Sequence, residues 1–194
     1  CAHLDAVSTT PPKGITLTDD GKIYTKSNIG CDDKNGVYIV LKMLEHNPKL
    51  QFIFSTEEET GGNIDSLELE NIDTPYGLIF DRKGNGDIIG TYNDYCDKDL
   101  EDAVCKVGLN YGYSTCRGVY SDCDALSVHF PTVNLSCGYY NAHTDKEYTI
   151  LEEVEVAYKF GLDLVNSVPR IKYNIPEKTY SHYGINDFVI CLGY

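Results

Sequence analysis

Short apolar runs rich in β-branched and aromatic residues alternate along this chain with longer segments of helical period. Cys1 to Val7 reads as a strand, and Ile15 to Tyr24 as a hairpin that turns at Asp19, Asp20 and Gly21. From Gly36 to His46 the apolar positions Val37, Val40, Leu41 and Leu44 share one helical face, and Asn47-Pro48 closes that helix. Gln51 to Ser55 and Tyr76 to Phe80 are further strands, Asp97 to Asn110 an amphipathic helix, and Thr132 to Ser136 another strand. Leu151 to Val165 is a long amphipathic helix. Ile171 to Tyr194 differs in character, a C-terminal extension without a functional reading whose run Phe188 to Leu192 could add an edge strand.

Strands alternating with helices of this length predict a three-layer α/β/α architecture around a mixed, mostly parallel central sheet. In such folds the site lies beyond the carboxyl ends of the strands. Glu58 and Glu59 fall just past one strand, Asp81 directly ends another, and His143 lies in the loop after a third. No repeat or linker divides the 194 residues, so a single catalytic domain over 1–194 is expected.

Composition narrows the partners. A net charge of −14 repels both a nucleic-acid backbone and an anionic membrane surface, and favours cations such as metal ions or the ammonium end of a peptide. No run approaches the ~18 apolar residues of a membrane span, and no secretion signal opens the chain. The 8 cysteines form no CxxC pair, which favours free thiols in a reducing, cytoplasmic compartment. The chain opens at Cys1, inside a strand, so further sequence upstream is expected.

His, Asp and Glu supply the candidate chemistry. In His3-Leu4-Asp5 alternate side chains of a strand share a face, so Asp5 can accept the imidazole proton that a metal does not use, although an HxD pair alone is a weak signal. Asp32 and Asp33 sit in a glycine-bounded loop, Gly30 to Gly36, that opens a helix. They could merely cap it. Alternatively, Asp32 divides its oxygens between two metals while Asp33 or Asn35 serves as the cap. Glu57, Glu58 and Glu59 crowd like charges at a strand end, which requires solvation or a cation. Adjacent side chains diverge, so Glu59 could ligate while Glu58 acts as a general base. Asp81 alone reads equally as a salt-bridged strand end, and His143, like His46, His129 and His182, as a loop histidine.

The ordered set His3, Asp32, Glu59, Asp81, His143 resembles the clan of di-zinc exopeptidases that includes peptidase T, leucyl aminopeptidases and the tetrahedral aminopeptidases. The resemblance covers residues 1 to about 165 and rests on His3-Leu4-Asp5, on Asp32 to Gly36, on Glu58-Glu59-Thr60-Gly61, and on Asp81 and His143. It implies that Asp32 bridges two divalent ions, zinc with manganese or cobalt as alternatives. His3 and Asp81 would complete one ligand set, and Glu59 and His143 the other. Glu58 would be the catalytic base and Asp5 the partner of His3, and the Asp32–Asp33 peptide would be cis.

The intervals from His3 to Asp32 and from Asp81 to His143 are too short for the dimerisation and lid inserts of some members, which leaves the compact leucyl-type architecture. The clan's helix and strand before HxD have no counterpart in this chain.

The leading expectation is a metal-dependent aminopeptidase, with Glu57, Asp122 and Asp124 as candidate anchors for the substrate ammonium. An N-acyl amino acid hydrolase or carboxypeptidase would need a cation for the substrate carboxylate, and Arg117 is the applicant. A non-catalytic peptide-binding module is the third reading. The tyrosines of Tyr111 to Tyr120 and Tyr139-Tyr140 could line a pocket or pack in the core. Oligomeric state is not legible in the sequence.

Overall fold

The computed structural model describes residues 1–8, 10–47, 49–61 and 69–177. In chain order the elements are β1 (Ala2–His3), β2 (Thr16–Leu17), β3 (Lys22–Tyr24), α1 (Cys31–His46), β4 (Phe54–Ser55), β5 (Gly77–Arg82) and β6 (Asp87–Ile89). Then come α2 (Lys98–Gly108), β7 (Ser114–Thr115), α3 (Asp122–Leu126), β8 (Thr132–Ser136), β9 (Tyr139–Tyr140), β10 (Tyr148–Ile150) and α4 (Leu151–Ser167).

β1 pairs in parallel with β4, aligning His3 with Ser55. The Cys1 main chain joins this pair to β5, accepting from Phe80 N at 3.2 Å and donating to Leu78 O at 2.6 Å. β5 and β8 are parallel, β8 and β6 antiparallel, and β6 and β7 parallel. The central sheet thus runs β4-β1-β5-β8-β6-β7, parallel through its first half and mixed beyond. A separate antiparallel meander, β2-β3-β10-β9, stands beside it and feeds α4.

β5 is covered on both faces, which explains why its residues are apolar in succession rather than alternately. Phe80 packs on one side with Ile39, Val40, Met43 and Phe160 from α1 and α4. Ile79 points the other way, among Leu69, Ile89, Leu126 and Phe130. Helices α1, α2 and α4 form one outer layer and the short α3 with its neighbouring turns the other, the three layers the sequence pattern predicts. Among the described residues no helix is long and apolar enough to cross a membrane. Cys31, Cys96, Cys123 and Cys137 are buried and unpaired.

Several boundaries differ from expectation for local reasons. β1 is shorter than the strand expected over 1–7, because its pairing stops where the chain turns into the polar loop that follows, and β4 keeps only the last two residues of the strand expected over 51–55, those that pair with Ala2 and His3. In α1, Asp32 and Asp33 are not helical, and the regular helix begins after Asp33, whose carboxylate accepts the Gly36 N–H at 2.9 Å. The buried stripe of α1 includes Gly36, Ile39, Val40 and Met43, whereas Leu41 and Leu44, expected inside, are exposed. Phe80 and Gly161 draw the helix onto that other face. Asp97 caps α2 by accepting from Leu100 N. α3 was not foreseen. It is built on a capping box between Ser121 and Asp124 and is too short to show a period. The first part of the C-terminal extension is anchored by Tyr173, buried against Tyr76, and by Asn174, which donates to Asp97. The strand expected over 188–192 lies outside the described residues.

Gly36 is the tightest junction between helix and sheet. A Cβ there would overlap the Phe80 carbonyl oxygen and the Asp33 carboxylate, and a strand carbonyl cannot swing aside. Alanine gains about 1 kcal/mol in helix propensity, while overpacking costs about 1–3 kcal/mol. With backbone as the obstacle, we expect Gly36→Ala to lose about 2 kcal/mol in urea denaturation. An unchanged midpoint would show that the loop gives way.

Candidate metal centre

The loop carrying Asp32 is held from several sides before any ligand is considered. Gly30 adopts φ 69°, a left-handed turn that favours glycine. Glu147, fully buried, accepts the Gly30 N–H at 2.6 Å and the Asp32 N–H at 3.0 Å. The Asp32–Asp33 peptide is cis, as the motif resemblance implies. Asp33, also fully buried, accepts the Gly36 N–H through Oδ1 and the His3 N–H through Oδ2 at 3.2 Å, tying α1 to β1. Asp33 is therefore the capping residue, since Asn35 turns away to donate to Cys137 O and Thr149 Oγ1.

That support presents the Asp32 carboxylate to two histidines at once. Its Oδ1 lies 3.2 Å from His3 Nε2, and its Oδ2 lies 3.2 Å from His143 Nε2. Asp81 Oδ1 approaches His3 Nε2 at 3.6 Å, and Glu59 Oε2 approaches His143 Nε2 at 2.8 Å. Two groups with the donor atoms of a metal site result, His3–Asp32–Asp81 and Asp32–Glu59–His143, each with its atoms within 4.8 Å of one another and sharing Asp32. Glu58 belongs to neither group. Its Oε2 stands 4.0 Å from His3 Nε2.

Each of these side chains is aimed by a local device. Asp5 accepts the Glu58 and Glu59 N–H groups at 3.3 and 3.1 Å, locking the turn between β4 and its glutamates. His3 Nδ1 faces the Asp5 carbonyl at 3.1 Å and its carboxylate at 3.4 Å. Asp5 thus orients both the histidine and the glutamate pair, and the second of these roles was not legible in the HxD spacing. Glu57 takes φ 68° and His143 φ 63°, left-handed conformations that side-chain-bearing residues adopt at a cost. Asp81 does not end its strand. It sits where the β5–β8 register shifts, with Asn134 accepting its N–H at 3.1 Å and donating to its carbonyl at 3.3 Å.

The sequence reading missed Glu147 and Asn134. Asn134 left a trace, as a polar residue mid-strand between Val133 and Leu135. Glu147 left none, since one acid in a charged turn looks solvated. Of the expected ammonium anchors, Asp122 is buried under a hydrogen bond from Ser55, Asp124 receives the Tyr95 hydroxyl at 2.5 Å, and Glu57 is exposed. Arg117 is exposed and is not part of the wall of the cleft of about 780 Å³ over the centre. That wall includes Asp32, Glu58, Asp81, Tyr139, Tyr140 and His143. Tyr139 is buried and Tyr140 partly so, while Tyr113 packs on Phe160 in the core. Each tyrosine stretch therefore serves both cleft and core, Tyr120, Tyr139 and Tyr140 lining the cleft and Tyr113 and Tyr139 belonging to the core.

The electrostatics fit a cation. Burial, reinforced by Asp81, pushes Glu58 up to about 8, and burial pushes Asp81 up to about 7. Glu59 is raised by burial and by the Asp32 charge beside it. Burial opposes the His3 imidazolium, but the Asp32 and Asp81 carboxylates outweigh it and hold His3 up to about 12. Glu59 Oε1 is buried without a hydrogen-bond partner among the described residues. Oxygens and imidazoles converging in this way suit zinc, manganese or cobalt.

No family model matches this chain, and no curated protein does. Solved structures do, and they define the class by fold. Aminopeptidase PepT of Bacillus cereus superposes with a TM-score of 0.71 at 17% identity, over 86% of this chain and 79% of its own. A tripeptidase of Staphylococcus aureus gives 0.68 at 17% identity over the same shares. The TET1 peptidase of Pyrococcus horikoshii, which can assemble into a tetrahedron or a large octahedral shell, gives 0.54 at 18% identity. There the match covers 78% of this chain and about half, 52%, of that one. The chain has the fold of these peptidases, the one its motif order led to.

Two outcomes follow for the metal-free and metal-loaded protein. Between the ordinary carboxylate range and pH 8 the unfolded chain releases protons that folded Glu58 and Asp81 retain, and above pH 6.5 His3 adds to the same imbalance. Stability without metal should therefore fall as pH rises from 5 to 8. Stoichiometric zinc should raise the Tm more at pH 8 than at pH 5, and a flat metal-free profile would contradict this origin. Secondly, Glu147→Gln sets an amide N–H₂ against a backbone N–H and loosens Asp32. Calorimetric titration should show zinc affinity reduced about 10–100-fold with the fold intact, whereas unchanged affinity would leave Glu147 without influence on the centre.

Proposed function

We propose that this chain is a metal-dependent exopeptidase, an aminopeptidase that hydrolyses the first peptide bond of a substrate with a free N-terminus. The observation carrying the proposal is that the two oxygens of Asp32 face two separate His–carboxylate groups. His3, Asp81 and Asp32 would hold one divalent ion, and Glu59, His143 and Asp32 a second. When bound, the ions supply positive charge that acidifies water and polarises a carbonyl group.

The rest of the reaction belongs to side chains. Glu58 is free of both groups yet close to His3, so its carboxylate can take a proton from the attacking water and return it to the leaving amine. Burial favours its protonated form, which makes it an effective acid in that second step. Asp5 keeps Glu58 in register through its backbone N–H and at the same time fixes the His3 ring. Glu147 and Asp33 hold the Asp32 loop from beneath.

A second reading, hydrolysis of an N-acyl amino acid or removal of a C-terminal residue, has its own observation, because Arg82 and Lys83 contribute to the cleft wall. Parallel assays on an unblocked aminoacyl anilide and an N-acetylated substrate separate the two. Glu58→Gln should keep about two metal equivalents by elemental analysis and lose turnover about 10²–10⁴-fold. Full activity in that variant, or turnover by the parent protein without metal, would overturn the proposal.

A further inference from the structure

Asp122 is a buried acid without a task in the reaction. It is 5% exposed, and its side-chain partners among the described residues are the Ser55 hydroxyl and, at 3.8 Å, the Cys1 thiol. Neither is a cation. Its α3 neighbours Cys123 and Leu126 belong to an apolar cluster, so an aliphatic side chain would serve packing alone at lower cost. The bond from Ser55 is what requires an acceptor at this place.

Ser55, 4% exposed, ends β4 and stands opposite His3 in the β1–β4 pairing. Its hydroxyl has one proton to give, and the alternative acceptor, the Ala2 carbonyl, is 3.5 Å away. Two residues on, Glu57 is left-handed at φ 68°, and Glu58 and Glu59 follow it. Such a conformation persists only where the surroundings hold it. Asp5 holds the far end of the turn through the Glu58 and Glu59 N–H groups at 3.3 and 3.1 Å. The near end is held through Ser55, whose hydroxyl reaches across to α3. That helix start is itself braced, since Ser121 Oγ accepts from Cys123 N at 3.3 Å and from Asn134 Nδ2 at 3.2 Å, and Asn134 also clamps Asp81.

We propose that Asp122 is a positioning residue for the Glu58–Glu59 turn, acting through the Ser55 hydroxyl. The inference rests on the two-ion reading above and assigns it a further residue. Asp122 makes no hydrogen bond to His3, Asp32, Glu59, Asp81 or His143, so its influence passes through Ser55. The group Asp32–Glu59–His143 draws a donor from this turn, whereas His3–Asp32–Asp81 draws none. Loss of the Asp122–Ser55 bond therefore weakens the first group and spares the second. The bond needs an acceptor oxygen and not a charge, so asparagine can take the place of Asp122.

The test is calorimetric zinc titration of the whole chain. His143→Ala, at a side chain 52% exposed, identifies the binding step that belongs to the Glu59 group. In Ser55→Ala and in Asp122→Ala that step should weaken about ten-fold, with the other step within about three-fold of the unsubstituted protein. Asp122→Asn should stay within about three-fold at both steps, and Ser55→Ala/Asp122→Ala should match the weaker single variant within about two-fold, as expected when two substitutions remove one interaction.

Equal weakening of both steps, no weakening of either, Asp122→Asn as impaired as Asp122→Ala, or additive losses in the double variant would overturn the proposal. If Asp122→Ala does not fold, Ser55→Ala and Asp122→Asn decide it, the first weakened at the Glu59 step and the second not. Fewer than two zinc ions on the unsubstituted protein would remove the two-ion reading and this assignment with it, whereas two ions with the wrong pattern among the variants would remove the assignment alone.

Discussion

The Asp32 carboxylate has to be offered to His3 and His143 simultaneously, one oxygen to each, while its own backbone is buried among other acids. Most of the neighbouring structure is organised by that requirement. A shared carboxylate needs a backbone that is itself held in place, and that backbone is held from behind. Glu147 fixes the preceding N–H groups, Asp33 ties the loop to both β1 and the first turn of α1, and Gly36 lets the helix approach the Phe80 carbonyl. Removing any one of these changes the direction of Asp32 before it changes the chemistry of a ligand.

The same economy appears in Asp5. One carboxylate accepts from two successive backbone amides and lies against the imidazole of His3, so the glutamate pair and the histidine share a single reference point. Glu58 and Glu59 diverge from that point, one toward His3 and the other toward His143. Their like charges are tolerable in one molecule only where protons or cations compensate them. The raised proton affinity of Glu58, Asp81 and Glu59 expresses that constraint.

The parts of this arrangement that were legible in the sequence were those with a period or a composition bias. Strand β8 over Thr132–Ser136, the helices over 98–108 and 151–167, and the Glu58–Glu59 position just past a strand end follow from apolar runs and their limits, whereas Asp81 lies inside a strand that runs on to Arg82. The order His3, Asp32, Glu59, Asp81, His143 led to the fold that the solved aminopeptidases share. What stayed hidden was set by tertiary contact. Leu41 and Leu44 fit a helical stripe as well as Ile39 and Met43 do, and only Phe80 decides which face is covered. Glu147 is indistinguishable in sequence from a solvated acid until Gly30 and Asp32 point their N–H groups at it. Arg117 was the obvious cation by isolation in sequence, yet its side chain stands outside the cleft, whose wall instead includes Arg82 and Lys83, the residues that follow Asp81.

That last reversal follows from strand geometry. Successive side chains of a strand alternate, so Arg82 cannot lie on Asp81 in the way their adjacency invites. Asp81 turns to His3, and Arg82 turns away to Asp87 across the β5–β6 connection. The register shift at Asp81, clamped by Asn134, displaces the pair that follows it along the cleft wall. Negative charge is thereby concentrated at the two His–carboxylate groups, and the two basic side chains stand beside them in the wall of the same cleft.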